Sequence, residues 1–540
     1  MNKLVNIIKK NPSFSIFIFL IAIVAIFFRT YNYFGRVNIH ADNAWEMQVA
    51  RYAYDNLKIP QVGPFSSAGP FFYGPWYFWI FGVLTIIPLG FLTHWYLMTL
   101  LSFIFIYLIF WIGREVGGTW VGVISALFAA ISPAAVDNSF AVWSPALIPT
   151  LVALSLVLLI KFSKTKRFLD IFLLSFVVGL SISIHFQSVL VSPILFAAIL
   201  LSFLPGDRNP ELDSGSRSVH PRGELSRGQA HPGGGHFLQY LFLTFLGFII
   251  PFLPLIWWDA HHNWYDGISL AVYLLVDQYK IWVPNRWLTY IGSYWPQTWV
   301  EIIGGSKYIG MLIIGFLGVF GLFRLKNWQK YSAFYLVAIT FLFEVVLFRY
   351  YRGERFYYYS LFAHPSVIVL SAFAVVELFK FNKYLGVVLG LIIVILTVKT
   401  SVSHLQSGQI TISEINSAKE EIYVVYPGKN FDIYGCIFNG SRVSHPVALS
   451  MYVDGRNKLD GVKIGTCEAL DGSIEWHELE THEYDTSEVG SDSSEVKIAT
   501  PAFDNVTTEH VYKGLEEWFL EKPPGKGDFW KFIRDNFRKS

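Results

Sequence analysis

The sequence predicts an all-α polytopic membrane protein of about eleven transmembrane helices, followed by a small C-terminal extracytoplasmic α+β domain. Hydrophobic residues make up 53% of the 540, aromatic residues 18% and charged residues only 15%, a balance too apolar for a soluble chain. The apolar residues gather in runs long enough to cross a ~30 Å hydrocarbon core, which takes about 20 residues each. Past residue 400 these runs stop, and short alternating segments separated by turn residues take over.

In chain order, the runs lie near 13–30, 95–113, 118–133, 144–162, 168–187, 188–205, 237–257, 305–325, 331–348, 361–379 and 384–400. The opening M-N-K-L-V-N-I-I-K-K-N-P has no small-residue cleavage site after its apolar run, so it reads as an uncleaved first span. Phe, Trp and Tyr crowd the span ends, as an interfacial belt requires. A further run, 76–92, is short and is broken by Gly82, Pro88 and Gly90. If it does not cross, the loops carrying Lys3, Lys9, Lys10, Arg114, Lys161, Lys164, Lys166, Arg167, Arg324, Lys326, Lys330, Lys380 and Lys383 all share one side. The positive-inside rule therefore favours a non-crossing segment in the interface and a cytoplasmic N-terminus.

This topology divides the chain into a membrane part, 1–400, and a soluble part, 401–540. The first outer loop spans 31–93. A Gly/Ser/Arg-rich cytoplasmic stretch, 206–236, has the composition of a linker, and its His220, His231 and His236 are too irregularly spaced for a metal site. In the C-terminal part, E-I-Y-V-V-Y, F-D-I-Y-G-C-I-F and V-A-L-S-M-Y-V read as strands, and E-H-V-Y-K-G-L-E-E-W-F-L reads as a helix. The two cysteines, Cys436 and Cys467, fit either a disulfide, if this part is outside the cytosol, or two free thiols. The net charge of +2 and the lack of a clustered basic surface exclude a nucleic-acid partner.

The outer face concentrates carboxylates, histidines and rings, whereas the inner loops carry Lys and Arg. Asp42, with Glu46 one turn on, Asp137, Asp259 and Glu354 stand near span ends, as do His40, His185, His261 and His262. A carboxylate at the mouth of a cavity can take the proton of an attacking hydroxyl, so Asp42, Glu46 and Asp137 are the catalytic candidates. Arg352, Arg355, Lys280 and Arg286 are candidate cations for a phosphate, and Arg51 is a further substrate-binding candidate. Tyr73, Trp76, Tyr77 and Tyr358 suit a sugar face or a lipid interface. His185, Asp259 and His262 complete the substrate-binding candidates. A divalent metal at Asp42, Asp137 or the histidines is compatible with this set, but no compact ligand spacing requires one.

The Asp42 loop followed by G-P-F-S-S-A-G-P-F-F-Y-G-P-W-Y-F-W resembles the polyprenol-phosphate-dependent membrane glycosyltransferases of the GT-C type. It is most similar to bacterial members related to protein O-mannosyltransferases and aminoarabinose transferases. G-R-E-V-G-G-T-W-V-G-V-I-S-A-L-F-A-A-I-S-P, W-S-P-A-L-I-P, G-L-S-I-S-I-H-F-Q and P-F-L-P-L-I-W-W-D-A-H-H-N-W agree in order and spacing, over roughly residues 10–400. The resemblance implies inverting transfer of a sugar from a polyprenyl-phosphate donor to a protein, lipid or polymer acceptor, at the outer face of the plasma (inner) membrane. Asp42 matches the family's first-loop general base. Two departures stand out: Asn43 where the family often has Glu, and His261 where relatives often carry Arg. Outside this class, a lipid or solute transporter fits the intramembrane charges and broken helix, and a membrane scaffold that senses sugar through 401–540 fits the soluble part.

Overall fold

The computed structural model describes residues 12–37, 39–66, 69–203, 235–276, 287–351, 357–405, 411–436, 443–469, 473–479 and 503–520. Among these, seven helices are long and apolar enough to cross a membrane: α4 (Thr93–Gly117), α7 (Ser144–Thr165), α10 (Phe237–His261), α13 (Lys307–Asn327), α14 (Ser332–Tyr350), α15 (Tyr359–Phe381) and α16 (Lys383–Ser403). Four shorter apolar helices occupy the remaining expected spans: α1 (Pro12–Thr30), α5 (Thr119–Ile131), α8 (Phe168–Ile184) and α9 (Phe186–Ser202). The 76–92 run does not form a span. Its helix, α3 (Trp76–Leu84), is only 9 residues long, about 13 Å of rise.

Arg29, fully buried near the end of α1, shows how the spans are tied together. Its guanidinium donates to Ser102 Oγ at 2.8 Å and to the carbonyls of Ala130 and Ala129 at 2.8 and 3.2 Å. Those carbonyls belong to the last turn of α5, where no helical N–H is available to satisfy them.

Between α1 and α4 the first loop folds into α2 (Ala41–Asp55), a hairpin and α3. Gly63 and Gly74 make the hairpin close: Gly63 N–H donates to Tyr73 O at 2.8 Å, Tyr73 N–H to Pro64 O at 3.0 Å, and Ser66 N–H to Phe71 O at 2.9 Å. Gly74 N–H reaches across to Ser183 O, near the end of α8, at 2.6 Å. A Cβ on Gly74 would lie 1.9 Å from Ser183 Oγ, so the hairpin docks on α8 only through a glycine.

The C-terminal part holds α17 (Ile412–Val425), β1 (Phe431–Cys436), α18 (Ser444–Val453), β2 (Val462–Glu468), β3 (Ile474–Glu478), β4 (Phe503–Asn505) and α19 (Thr508–Leu520). The sheet order is β3-β2-β1-β4, with β1 parallel to β2 and the outer strands antiparallel. Cys436 and Cys467, on β1 and β2, form a disulfide. Two sequence expectations are corrected here: E-I-Y-V-V-Y lies in α17 and V-A-L-S-M-Y-V in α18. Over six or seven residues an alternating pattern cannot separate strand from helix. The Thr411/Glu414 capping box that starts α17 decides its first turn, and α18 is buried from Ser444 to Met451.

This part is not a separate body. Met47, Val49 and Ala50 of α2 share one buried apolar cluster with Ile433, Val447, Leu449 and Tyr512. Gln48, fully buried, donates to Val506 O at 3.0 Å and to Thr508 Oγ1 at 2.9 Å. Its carbonyl oxygen accepts from His445 Nδ1 at 2.7 Å.

Substituting Gly74→Ala should lower stability by about 1–3 kcal/mol through overpacking, read as a lower thermal midpoint in detergent. Adding Ser183→Ala, which removes the clashing oxygen, should recover part of the loss. Full stability in the single variant would mean that the hairpin does not dock on α8.

Candidate active site

The residues H-A-D-N-A-W-E start α2. His40 N–H donates to Asn43 Oδ1 at 2.9 Å, one half of a reciprocal cap. Asn43, the departure from the family pattern, is thus a buried capping residue. Asp42 stands exposed in the first helical turn, where the helix dipole favours negative charge. One turn further, Glu46 is only 7% exposed, with Oε2 unpartnered. Burial, helped by the nearby Asp42, pushes its carboxyl up to about 8, against a backbone hydrogen bond from Ser144 and the neighbouring Tyr77. The Tyr77 hydroxyl faces this carboxyl without reaching hydrogen-bond geometry. Two carboxyl groups on one helix face thus meet opposite surroundings.

The hairpin brings Tyr73 over Glu46. Its hydroxyl donates to Ser66 Oγ at 3.3 Å and lies 3.4 Å from His185 Nε2, with the two rings 4.8 Å apart. Burial raises the Tyr73 phenol, and Tyr359, Glu46 and Tyr273 are close enough to add to the effect. Tyr273, on α11 (Tyr265–Leu275), meets Tyr351 hydroxyl to hydroxyl at 3.1 Å, and the Tyr351 ring lies 5.8 Å from that of Tyr359. Phenols from the hairpin, α11, the end of α14 and the start of α15 therefore cluster around Tyr73, which itself lies near the buried carboxyl. Such a cluster offers hydroxyl donors and ring faces to a polyhydroxylated ligand.

The hairpin is also anchored from α11. Asp266 accepts from Phe72 N–H at 2.5 Å, and Asp259 accepts from the N–H groups of Asp266 and Gly267 at 2.7 and 2.9 Å. Asp259 therefore caps α11, and α11 grips the hairpin.

Of the residues singled out in the sequence, Asp42, Glu46, Tyr73, Tyr77 and His185 come together at this end of the bundle. Others have structural partners. Arg51 pairs with Asp55 at 3.6 Å, Trp76 Nε1 donates to Pro251 O at 2.8 Å, and His262 stacks on Trp258 at 4.1 Å while its Nδ1 meets Trp258 O at 2.7 Å. Asp137 pairs with His404 Nδ1 at 2.6 Å. That hydrogen bond outweighs partial burial and raises the His404 imidazole, with the buried Arg36 beside the pair. Arg352 and Arg355 lie outside the described residues, and Tyr358 falls in the 3-10 segment Tyr357–Ala363. Sequence reasoning missed Tyr273, Tyr351, Tyr359 and His404. Tyr351 and Tyr359 lie in the R-Y-Y-R-G-E-R-F-Y-Y-Y stretch, whose tyrosines are a signal in the sequence, whereas Tyr273 and His404 carry no local signal.

Among solved structures the chain is similar to ArnT from Cupriavidus metallidurans, bound to undecaprenyl phosphate and in the apo state, with TM-scores of 0.52 and 0.51. Each alignment has 9% identity and covers 84% of this chain and 92% of that one. It is also similar to the apo oligosaccharyltransferase of Archaeoglobus fulgidus, at a TM-score of 0.47 and 11% identity over 81% of this chain, but it spans only 63% of that protein's length. No protein-family model and no curated relative matches the sequence. The chain shares its fold with the ArnT structures over most of both chains, and its apolar helices are those of a multi-pass membrane protein.

The raised carboxyl of Glu46 has a consequence for stability. Between about 4.5 and about 8 the folded state holds a proton that the unfolded state releases, so stability is fully present at the low end and is lost as pH rises through the folded value. Glu46→Gln should flatten the fall in thermal midpoint over this window. An unchanged slope in the variant would remove Glu46 as its source.

Proposed function

We propose that the protein is an inverting glycosyltransferase that moves a hexose or pentose from a polyprenyl-phosphate donor to an acceptor hydroxyl or amine. The observation that carries this reading is an exposed carboxyl, Asp42, set one turn from a buried one, Glu46, whose carboxyl burial raises to about 8, beside a cluster of phenols on a GT-C-like fold. The neighbouring ArnT structure binds undecaprenyl phosphate, and a donor of that chemistry suits a recess at the end of an apolar bundle.

In this reading the acceptor lies against Asp42, which takes its proton as the acceptor oxygen or nitrogen attacks the anomeric carbon. The bond from that carbon to the phosphate oxygen breaks on the opposite face, and the polyprenyl phosphate leaves with the bonding pair. Glu46 keeps its proton and donates toward a sugar or phosphate oxygen, while Tyr73 and His185 orient the sugar. A cation stabilises the departing phosphate; Arg352 and Arg355 are the sequence candidates. Asp137, paired with His404, serves as a positioning group at the rim. The transporter alternative has less support, because the recess gathers its titratable groups at one end of the bundle instead of the midplane. Among the described residues no three His, Cys, Asp or Glu side chains converge as metal ligands, so no step is assigned to a metal.

The same reading places residues 1–400 as the catalytic part and 401–540 as its soluble support outside the cytosol, in the plasma (inner) membrane with the N-terminus cytoplasmic. The Cys436–Cys467 disulfide supports that side, since such bonds persist in oxidising compartments.

Asp42→Asn should lower turnover of a radiolabelled polyprenyl-phosphate sugar about a hundredfold or more while leaving donor binding nearly unchanged. The check is release of label from the lipid by purified protein in nanodiscs. Turnover that survives the substitution would move the base elsewhere in the recess.

A further inference from the structure

We propose that the end of the bundle opposite the recess carries a binding site for the headgroup phosphate of an anionic phospholipid. A cavity of about 640 Å³ lies there, between the α4–α5 turn and the adjoining ends of α13, α14 and α15. It is remote from the recess. The first turn of α4 packs, through Trp95, in the cluster that holds α2, and the cavity sits at the last turn of the same 25-residue helix, about 36 Å away. The inference therefore does not depend on the transferase reading.

The charge of the cavity is one-sided. Arg324, Lys330 and Lys380 line it, together with two carboxylates, Glu115 and Glu377. Both carboxylates are already offset: Glu377 pairs with Lys380 at 2.5 Å, and Glu115 pairs with Arg114 at 3.0 Å and with Lys164. Arg324 and Lys330 have no carboxylate partner among the described residues. They lie instead against the rings of Phe320 and Tyr331, at 5.8 and 5.7 Å. Two cations are thus left facing a cavity large enough for a phosphodiester.

The rim explains why a lipid, in preference to a soluble anion, fits this site. Phe381, which follows Lys380 and lines the cavity, is 84% exposed, and Phe316 and Phe320 line it from α13. Large apolar groups beside cations at span ends match the boundary between acyl chains and headgroups, where basic pockets between spans hold anionic lipids. A free phosphate would use the cations and gain nothing from the rim.

The test uses the full chain in detergent, equilibrated separately with phosphatidylglycerol, phosphatidylcholine and inorganic phosphate, with retained lipid read by native mass spectrometry. Wild type should retain phosphatidylglycerol and release phosphatidylcholine. The double variant R324Q/K330Q should retain the anionic lipid roughly 30-fold more weakly, with the thermal midpoint as the check that it is folded. Lys326→Gln, which removes a neighbouring cation that does not line the cavity, should leave retention unchanged. Equal retention of phosphatidylcholine, full retention by the folded double variant, or an equal loss in Lys326→Gln would overturn the site. Displacement of the lipid by inorganic phosphate would overturn the lipid assignment and leave a soluble-anion site.

Discussion

The structure depends on a single glutamine with no access to water. Gln48 sits on α2 and uses both ends of its amide inside the C-terminal part, donating to Val506 and Thr508 and accepting from His445. An amide buried this deeply is tolerable only if every polar atom is paired, so α2 cannot turn or slide without losing three hydrogen bonds at once. Burial also pushes the His445 imidazole down to about 4, which keeps it neutral and able to donate through Nδ1. The helix carrying Asp42 and Glu46 is therefore fixed from behind by α18 and α19, which lie hundreds of residues away in sequence.

That constraint sets the chemistry on the other side of the helix. With α2 held in one orientation, Asp42 faces solvent at its first turn and Glu46 faces Tyr77 in the interior. One helical turn separates two carboxyl groups, one exposed and one buried, and burial raises that of Glu46 to about 8. The hairpin completes the enclosure because Gly74 allows it against α8 and Asp266 holds Phe72 from α11. Asp259 belongs to this scaffold as the residue that caps α11.

The membrane helices were legible because crossing a bilayer demands long apolar runs, a constraint that acts on each segment alone. The distribution of Lys and Arg between the loops separated 76–92 from a true span. The loop helix that begins near Asp42 was readable from its own residues, and so was the helix of E-H-V-Y-K-G-L-E-E-W-F-L. Pairings between distant segments were not. Asp137 looked like a free outer carboxylate, but the end of α16 brings His404 to it. Asp259 and Trp76 read as ligand contacts and proved to have structural partners, because local sequence does not reveal which backbone group a side chain will meet. The helices α17 and α18 were misread as strands for a related reason: a short apolar pattern takes its period from what it packs against.

By itself the sequence determined the class of protein, the number and order of apolar helices, the placement of the first acidic loop between two of them, and the presence of a polar α+β segment at the end. Each follows from composition or from a period that a segment carries within itself. Only the tertiary structure decided which of the acidic and aromatic residues share a site, which of two neighbouring carboxyls is buried, and that the C-terminal part clamps the first-loop helix through α18 and α19. Those outcomes depend on burial and on partners far apart in the chain. The environment of a side chain is set by what folds over it, and nothing in the residue or its neighbours in sequence encodes that alone.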